Sequence, residues 1–320
     1  MSISFESRVV VVTGAGGALG RVYAREFARR GAAVVVNDLG GTARGTGSAP
    51  DAADAVVAEI RAAGGKAVAS YDTVATREGS QRVIEAALHS FGRIDVVINN
   101  AGNIRSDWFG DVTEADLRSQ IDTHLMGSFF ATQAAWPAMV AQKYGRILFT
   151  TSAAGMLGNR GQTGYGAAKG GITGLMNVVS LEGRRLGILC NAIQPNAHNR
   201  MGEDMARVMD GEAIDRFSIV PGLGASMTAD FTVPLAVYLA SEACQSSHAV
   251  FSSLGGRFAR VFTGITAGWQ GDRDTPATAE EVAEHFDDIG DTSRGFVVPD
   301  DLINEYELLL AQPAGQAGRP

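Results

Sequence analysis

The chain has 320 residues, 45% apolar and 19% charged, with a net charge of −8. That length holds one large core or a core plus an appendage, and the acidic balance excludes nucleic acid or an anionic membrane as the main partner. The 2 cysteines rule out a disulfide framework or a cysteine zinc site.

In chain order, four consecutive valines (9–12) read as a buried parallel strand. Thr13-Gly14-Ala15-Gly16-Gly17-Ala18-Leu19-Gly20 follows as a glycine-rich turn, and residues 21–30 as a helix stopped by Gly31. Strand, turn and helix N-terminus together make an anion site, because free N–H groups and the positive helix end meet a phosphate that no side chain obstructs. A second strand, 33–37, ends in Asp38. A carboxylate there bonds a ribose hydroxyl and repels a 2′-phosphate, which favours NAD over NADP. The alternative is an ordinary turn with a surface aspartate.

Residues 39–50 form a small-residue loop longer than a minimal crossover, followed by a helix over 51–63. The third strand, 66–71, ends at Asp72, placed to bond an adenine amino group or to cap the next helix, 77–91. The fourth, 94–98, runs into Asn99-Asn100-Ala101-Gly102, whose amides can tie strand ends together while the glycine clears space for a cofactor. A long helical stretch over 114–142 precedes a fifth strand, 146–152, then a helix over 163–186 and a sixth strand, 189–194, stopped by Pro195.

This alternation predicts an α/β fold, a Rossmann-type doubly wound parallel sheet in three layers, α/β/α. Ligands bind outside the carboxyl ends of such strands, where Gly14, Asp38, Asp72, Asn100, Ser152 and Pro195 all fall.

The core is expected over 1–260, with residues 196–226 as a substrate lid or a plain surface loop. A helix is expected over 229–242 and a short strand over 250–253. Residues 261–320 read as a C-terminal extension packing on the core or a neighbouring subunit, with helices over 276–287 and 300–310. Cys190 reads as a buried small residue. The 5 histidines show no metal-ligand spacing, so no metal is expected. No apolar run reaches the ~20 residues of a membrane span, and no export signal opens the chain, so a cytoplasmic location is the default expectation.

Chemistry concentrates at Tyr165-Gly166-Ala167-Ala168-Lys169, with Ser152 upstream. On a helix Tyr165 and Lys169 share one face, a turn apart. A cation there favours the phenolate, so a phenol that ordinarily titrates near pH ~10 could trade a proton near neutrality. Ser152 could hold a substrate oxygen beside it.

Thr13-Gly14-x-x-x-Ala18-x-Gly20, Asn99-Asn100-Ala101-Gly102, Ser152 and Tyr165-x-x-x-Lys169, in this order, resemble the short-chain dehydrogenase/reductase superfamily over residues 5–255. A narrower resemblance is to the (3R)-hydroxyacyl-CoA dehydrogenase domain of peroxisomal multifunctional enzyme type 2 (17β-hydroxysteroid dehydrogenase type 4) and its stand-alone bacterial relatives. It rests on Val36-Asn37-Asp38-Leu39-Gly40-Gly41, Gly64-Gly65-Lys66-Ala67-Val68-Ala69, Gln142-Lys143-Tyr144-Gly145-Arg146-Ile147 and Pro195-Asn196-Ala197.

The resemblance implies Tyr165 as acid/base, Lys169 lowering its pKa and holding the nicotinamide ribose, and Ser152 fixing the substrate oxygen. It implies an NAD site lined by Gly14, Gly16, Leu19, Gly20, Asp38, Asp72, Val74, Asn100, Ala101, Gly102, Tyr165, Lys169 and Pro195. Three positions depart from the superfamily. Ala18 replaces its middle glycine, which should tighten packing without losing binding. His124 stands where most members carry a structural asparagine, and Pro195-Asn196 replaces Pro-Gly; both are features of the narrower family. His124 reads either as a packed core residue or as part of an altered proton relay.

The expected function is NAD-dependent oxidation of a secondary alcohol, the 3-hydroxyl of a (3R)-hydroxyacyl-CoA, with a sterol side chain among the candidate acyl groups. A hydroxysteroid dehydrogenase acting on a free steroid alcohol is the alternative, and an idle NAD-binding sensor a remote one. Arg105, Arg200, Arg257 and Arg260 are candidate CoA anchors or solvated charges. Pairing of the helices over 114–142 and 163–186, through Phe129, Phe130, Ile172 and Val178 among others, implies a homodimer or homotetramer.

Overall fold

The computed structural model describes residues 2–196, 208 and 226–311. The sequence's valine-rich runs become parallel strands because β-branched side chains fill a surface covered on both faces. In chain order these are β1 (Val9–Thr13), β2 (Ala33–Asn37), β3 (Lys66–Ser70), β4 (Val96–Asn99), β5 (Gly145–Thr150), β6 (Ile188–Asn196) and β7 (Ala249–Leu254). Among the described residues they form a sheet of order β3-β2-β1-β4-β5-β6-β7, with Val11 opposite Val35 on one side and Val97 on the other. A two-residue turn, Gly255–Gly256, leads into an eighth strand, β8 (Arg257–Val261), which the sequence reading did not foresee.

Between strands run α1 (Ala18–Arg29), α2 (Asp51–Ala62), α3 (Arg77–Phe91), α4 (Glu114–Gln120), α5 (Gly127–Gln142), the short α6 (Ala153–Met156), α7 (Thr163–Arg184) and α8 (Val233–Ala240). They fall into two packed groups: α1 touches α2 and α8, while α3 touches α5 and α4 touches α7. The apolar stripe of α1, Tyr23, Ala24 and Phe27, packs with Val10, Val12, Val34 and Val36 in one core layer. The long helical stretch is continuous, but a π-helical turn, Ile121–Met126, separates α4 from α5.

Several boundaries shift for identifiable reasons. Pro195 lies inside β6 rather than stopping it: β5 pairs only as far as Ile193, so beyond it the strand has β7 alone as neighbour. Ile172 is core, 1% exposed, whereas Val178 on the same helix is 56% exposed. Of the expected lid, 196–226, only Asn196, Val208 and Ser226 lie within the described residues.

The amino ends of β1, β4 and β5 are bound by charge. Asp95, fully buried, accepts from Arg8 Nη1 at 2.7 Å, from the Val9 amide at 2.9 Å and from Arg93 at 2.7 and 2.8 Å. Tyr144 lies between the guanidinium groups of Arg8 and Arg146, at 4.1 and 4.5 Å from its ring centre.

The chain divides at residues 260 and 261 into two compact units. In the second, β9 (Ile265–Thr266) pairs antiparallel with β10 (Phe296–Val297). The single helix expected over 276–287 is instead two, α9 (Ala279–Glu284), opened by a capping box between Thr278 and Glu281, and α10 (Phe286–Gly290). The expected tail helix is α11 (Leu302–Ala311). Within this unit Trp269 stacks on His285 at 4.4 Å.

Candidate active site

The cleft begins where β1 ends. Gly14 takes φ +64°, and a side chain there would come within 2.7 Å of Ala101 Cα. Gly17 caps α1 without a side chain, so the first-turn N–H groups of that helix face the cleft unobstructed, and Ala18 opens the helix exposed. The Gly16 amide donates to Asp38 Oδ2 at 2.7 Å and the Gly40 amide to Oδ1 at 2.7 Å. A Cβ on residue 16 would lie 2.9 Å from that carboxylate, so this turn closes only around glycine.

The ends of β1 and β4 are knotted together by Thr13 and Asn100. Thr13 Oγ1 accepts from the Asn100 and Ala101 amides, each at 3.0 Å, and donates to Ile98 O at 3.3 Å. Asn100 Nδ2 donates to Thr13 O at 2.9 Å and to Gly14 O at 3.1 Å. The sequence reading passed over Thr13 as a functional residue, although its place at the strand end was a usable signal.

A strap formed by residues 42–46 lies along the cleft, closed on itself by a Thr42–Thr46 hydroxyl contact at 2.8 Å. Ile104 N donates to Ala43 O and Arg105 Nε to Arg44 O, both at 2.9 Å. Arg105 also bonds Asp116 at 3.0 Å, so it is a structural tie rather than a free anchor for a thioester's phosphates. Arg200 lies outside the described residues, and Arg257 and Arg260 are exposed on β8.

The cleft measures about 430 Å³. Gly14, Leu19, Gly20, Asp38, Asp72, Val74, Asn100, Ala101, Gly102, Tyr165, Lys169 and Pro195 all line it. Gly16 and Ser152 stand one contact behind the wall, bonded to Asp38 and Tyr165 respectively. Strap residues Thr42, Ala43 and Gly45, together with Asn103, Asp122 and Thr150, also line it and were not singled out beforehand; the excess length of the loop after β2 was the available clue. Thr76, not Asp72, caps α3, which overturns the capping reading of Asp72; its Oδ1 accepts from Arg82 Nε at 2.5 Å.

At the inner end Tyr165 and Lys169 lie a turn apart on α7, where Lys169 Nζ donates to Thr150 O at 2.6 Å. Its ammonium stands 5.5 Å from the Tyr165 ring centre. Burial pushes the lysine down from its ordinary 10.5 to about 7. Burial raises the Tyr165 phenol above its usual value, and a hydrogen bond with Ser152 pulls it back. Where Lys169 was expected to favour the phenolate, burial holds the phenol above its usual value, and the lowering contact comes from Ser152. His124 packs edge-to-face on the same phenol, with ring centres 5.3 Å apart. Gly102 lines the cleft and also leaves room for His124, whose Cε1 would meet an added Cβ at 2.2 Å.

A doubly wound sheet with a glycine turn, a carboxylate after β2 and this serine–tyrosine–lysine cluster defines a class. The chain belongs to the short chain dehydrogenase family, which it matches over residues 8–202. It is 44% identical to peroxisomal multifunctional enzyme type 2 of Mus musculus over 91% of its length, spanning 38% of that protein. It is 41% identical to a putative short-chain type dehydrogenase/reductase of Mycobacterium tuberculosis, over 90% of this chain and 96% of the other. Full-length peroxisomal multifunctional enzyme type 2 from Drosophila melanogaster superposes with a TM-score of 0.77 at 34% identity, covering 96% of this chain and 49% of that one. The chain thus spans less than two thirds of the multifunctional enzymes it matches.

A neighbour of 25% identity and TM-score 0.67 is a 7α-hydroxysteroid dehydrogenase complexed with NADH. Family and neighbour together imply a nicotinamide cofactor and a small-molecule substrate. The residues fit one: an uncapped helix end with no side chain at Gly16 or Gly17 would hold a pyrophosphate, and Asp38 a ribose.

Proposed function

We propose that the protein oxidises the 3-hydroxyl of a (3R)-hydroxyacyl-CoA to the 3-oxo thioester, with NAD as oxidant. The observation that carries this reading is the half-buried Tyr165, bonded by Ser152 and one turn from Lys169, at the inner end of a cleft whose other end holds Asp38. Asp38 supports NAD over NADP, since a carboxylate repels a 2′-phosphate. Thioester chemistry is supported by names among the relatives. Besides the multifunctional enzymes, they include a 3-oxoacyl-[acyl-carrier-protein] reductase of Synechocystis, 38% identical, and a (2S)-[(R)-hydroxy(phenyl)methyl]succinyl-CoA dehydrogenase subunit of Thauera aromatica, 32% identical.

Bound NAD would supply the hydride acceptor. Tyr165, as the phenolate, would take the hydroxyl proton at Oη, and Ser152 Oγ would donate to the substrate oxygen as charge develops there. Lys169, anchored on Thr150 O, keeps its ammonium one helical turn from Tyr165 and would hold the nicotinamide ribose. Gly16, Gly17 and Asp38 would hold the rest of the dinucleotide.

The deciding assay follows NADH formation with purified protein and a series of (3R)-3-hydroxyacyl-CoAs; no NADH from any of them sinks the proposal. The 25% identity to a hydroxysteroid dehydrogenase keeps a free steroid alcohol as the second reading. Competing a CoA thioester against its free acid separates the two. The exposed Val178 and Leu181 of α7 suit pairing of two chains as a homodimer or homotetramer, which sedimentation velocity checks.

A further inference from the structure

His124 is 1% exposed, lines the cleft and has one ring nitrogen, Nδ1, without a hydrogen-bond partner. Three features fix its ring. The π-helical turn carries it, and Ser128 Oγ donates to the His124 carbonyl at 2.6 Å. The Asn103 N–H points at Nε2 from 3.1 Å, and Asn103 O stands 2.6 Å from the same nitrogen. The two contacts call for opposite tautomers; the shorter one, to the carbonyl oxygen, forms only with a proton on Nε2, which leaves Nδ1 the bare acceptor. Finally, a Cβ at residue 102 would meet Cε1 at 2.2 Å and Nδ1 at 2.8 Å, so the ring fits only against glycine. Held this way, it meets the Tyr165 ring at 84°, the edge-to-face arrangement that aromatic pairs favour.

We propose that His124 is a positioning residue for Tyr165: a neutral, Nε2-protonated imidazole, locked between Gly102 and Asn103, that seats the phenol against Ser152. It acts through Tyr165 and touches no reacting atom. Burial first, and the Lys169 charge second, hold the imidazole well below its usual pKa, so it adds no second cation to the site. The segment that locks it does double duty. Asn103 holds the ring, and the next two residues, Ile104 and Arg105, bond the strap at Ala43 and Arg44. The phenol's seat and the dinucleotide end of the cleft therefore share one short stretch of backbone.

This inference rests on Tyr165 as the acid/base, and its tests separate the two. In nitrogen-15 NMR of the histidine-labelled full chain, the signal lost in His124→Phe should show a protonated Nε2 and a bare Nδ1 through mildly acidic pH. An Nδ1–H tautomer or a charged ring overturns the proposal whatever the activity. In kinetics, His124→Leu should lower kcat roughly ten- to a hundredfold, the scale of a small misplacement of a reacting group, with KM for NAD nearly unchanged. His124→Phe, which keeps the ring without its lock, should fall between. Unchanged kcat in the leucine variant, or a loss confined to KM, overturns it. Thermal unfolding supplies the remaining arm: Gly102→Ala should destabilise the parent yet add nothing to His124→Ala, and additive costs overturn the lock. Turnover retained in Tyr165→Phe would instead refute the acid/base reading itself.

Discussion

Asp38 Oδ2 accepts the Gly16 amide at 2.7 Å, so the carboxylate proposed to hold a ribose is pinned by the glycine turn proposed to hold a pyrophosphate. With Gly40 on the other oxygen, the carboxylate has one orientation in which to meet a ligand. Asp38→Ala should raise the dissociation constant for NAD roughly ten- to a hundredfold, since hydrogen bonds to charged groups are worth ~1.5–3 kcal/mol. The preference over NADP should narrow at the same time. Calorimetric titration with both dinucleotides checks this, and an unaltered ratio of affinities would count against the assignment.

Thr13 is 2% exposed and satisfies two backbone amides with one oxygen. Thr13→Val keeps the shape and removes the acceptor, leaving the Asn100 and Ala101 amides without it. A loss of ~2–4 kcal/mol is expected, because each buried donor left unpaired costs ~1–3 kcal/mol. Urea denaturation measures it; a change below about half a kcal/mol would mean that other partners replace the hydroxyl.

Lys169 costs stability where its charge is buried. Its folded pKa is depressed from 10.5 to about 7, so the native state binds fewer protons than the unfolded chain between those values. Native stability is therefore penalised in full below about pH 7, and the penalty is relieved as pH rises toward 10.5. Lys169→Met should abolish most turnover while raising the melting temperature at pH 6, an effect that shrinks on the alkaline side. Melting curves across pH test this, and a variant less stable than the parent at low pH contradicts it.

Asp95 accepts from Arg8, Arg93 and the Val9 amide with no exposure to solvent. Removing one member of such a buried group leaves the others uncompensated, so Asp95→Ala should destabilise the fold by ~3–5 kcal/mol. Because the residue sits at the amino ends of the strands, affinity for NAD in the folded fraction should not change. Denaturation and titration of the same sample check both halves.

Much of this molecule was legible beforehand because its signals are local. Four valines followed by a glycine turn specify a strand and a helix start without knowledge of anything distant. The same holds for Tyr165 and Lys169, which one helical turn brings together. What escaped depends on contacts far apart in sequence. Thr13 meets Asn100, and the strap after β2 meets Ile104 and Arg105, through folding alone. That Gly102 also makes room for His124 was not legible, because nothing local shows that this ring, on another element, would lie against it. Pro195 continued its strand because the neighbouring strand had already ended. The titration of Tyr165 differs for a related reason: sequence shows the nearby cation but not the desolvation that raises the phenol.

The sheet's two rims divide their labour. Charge and stacking around Asp95 and Tyr144 clamp one rim, while Thr13, Asn100 and Asp38 tie the opposite rim through hydroxyl, amide and carboxylate bonds. Exchanges that leave those bonds in place should be the ones tolerated, which points a search for altered specificity at the cleft's apolar lining rather than at its knots.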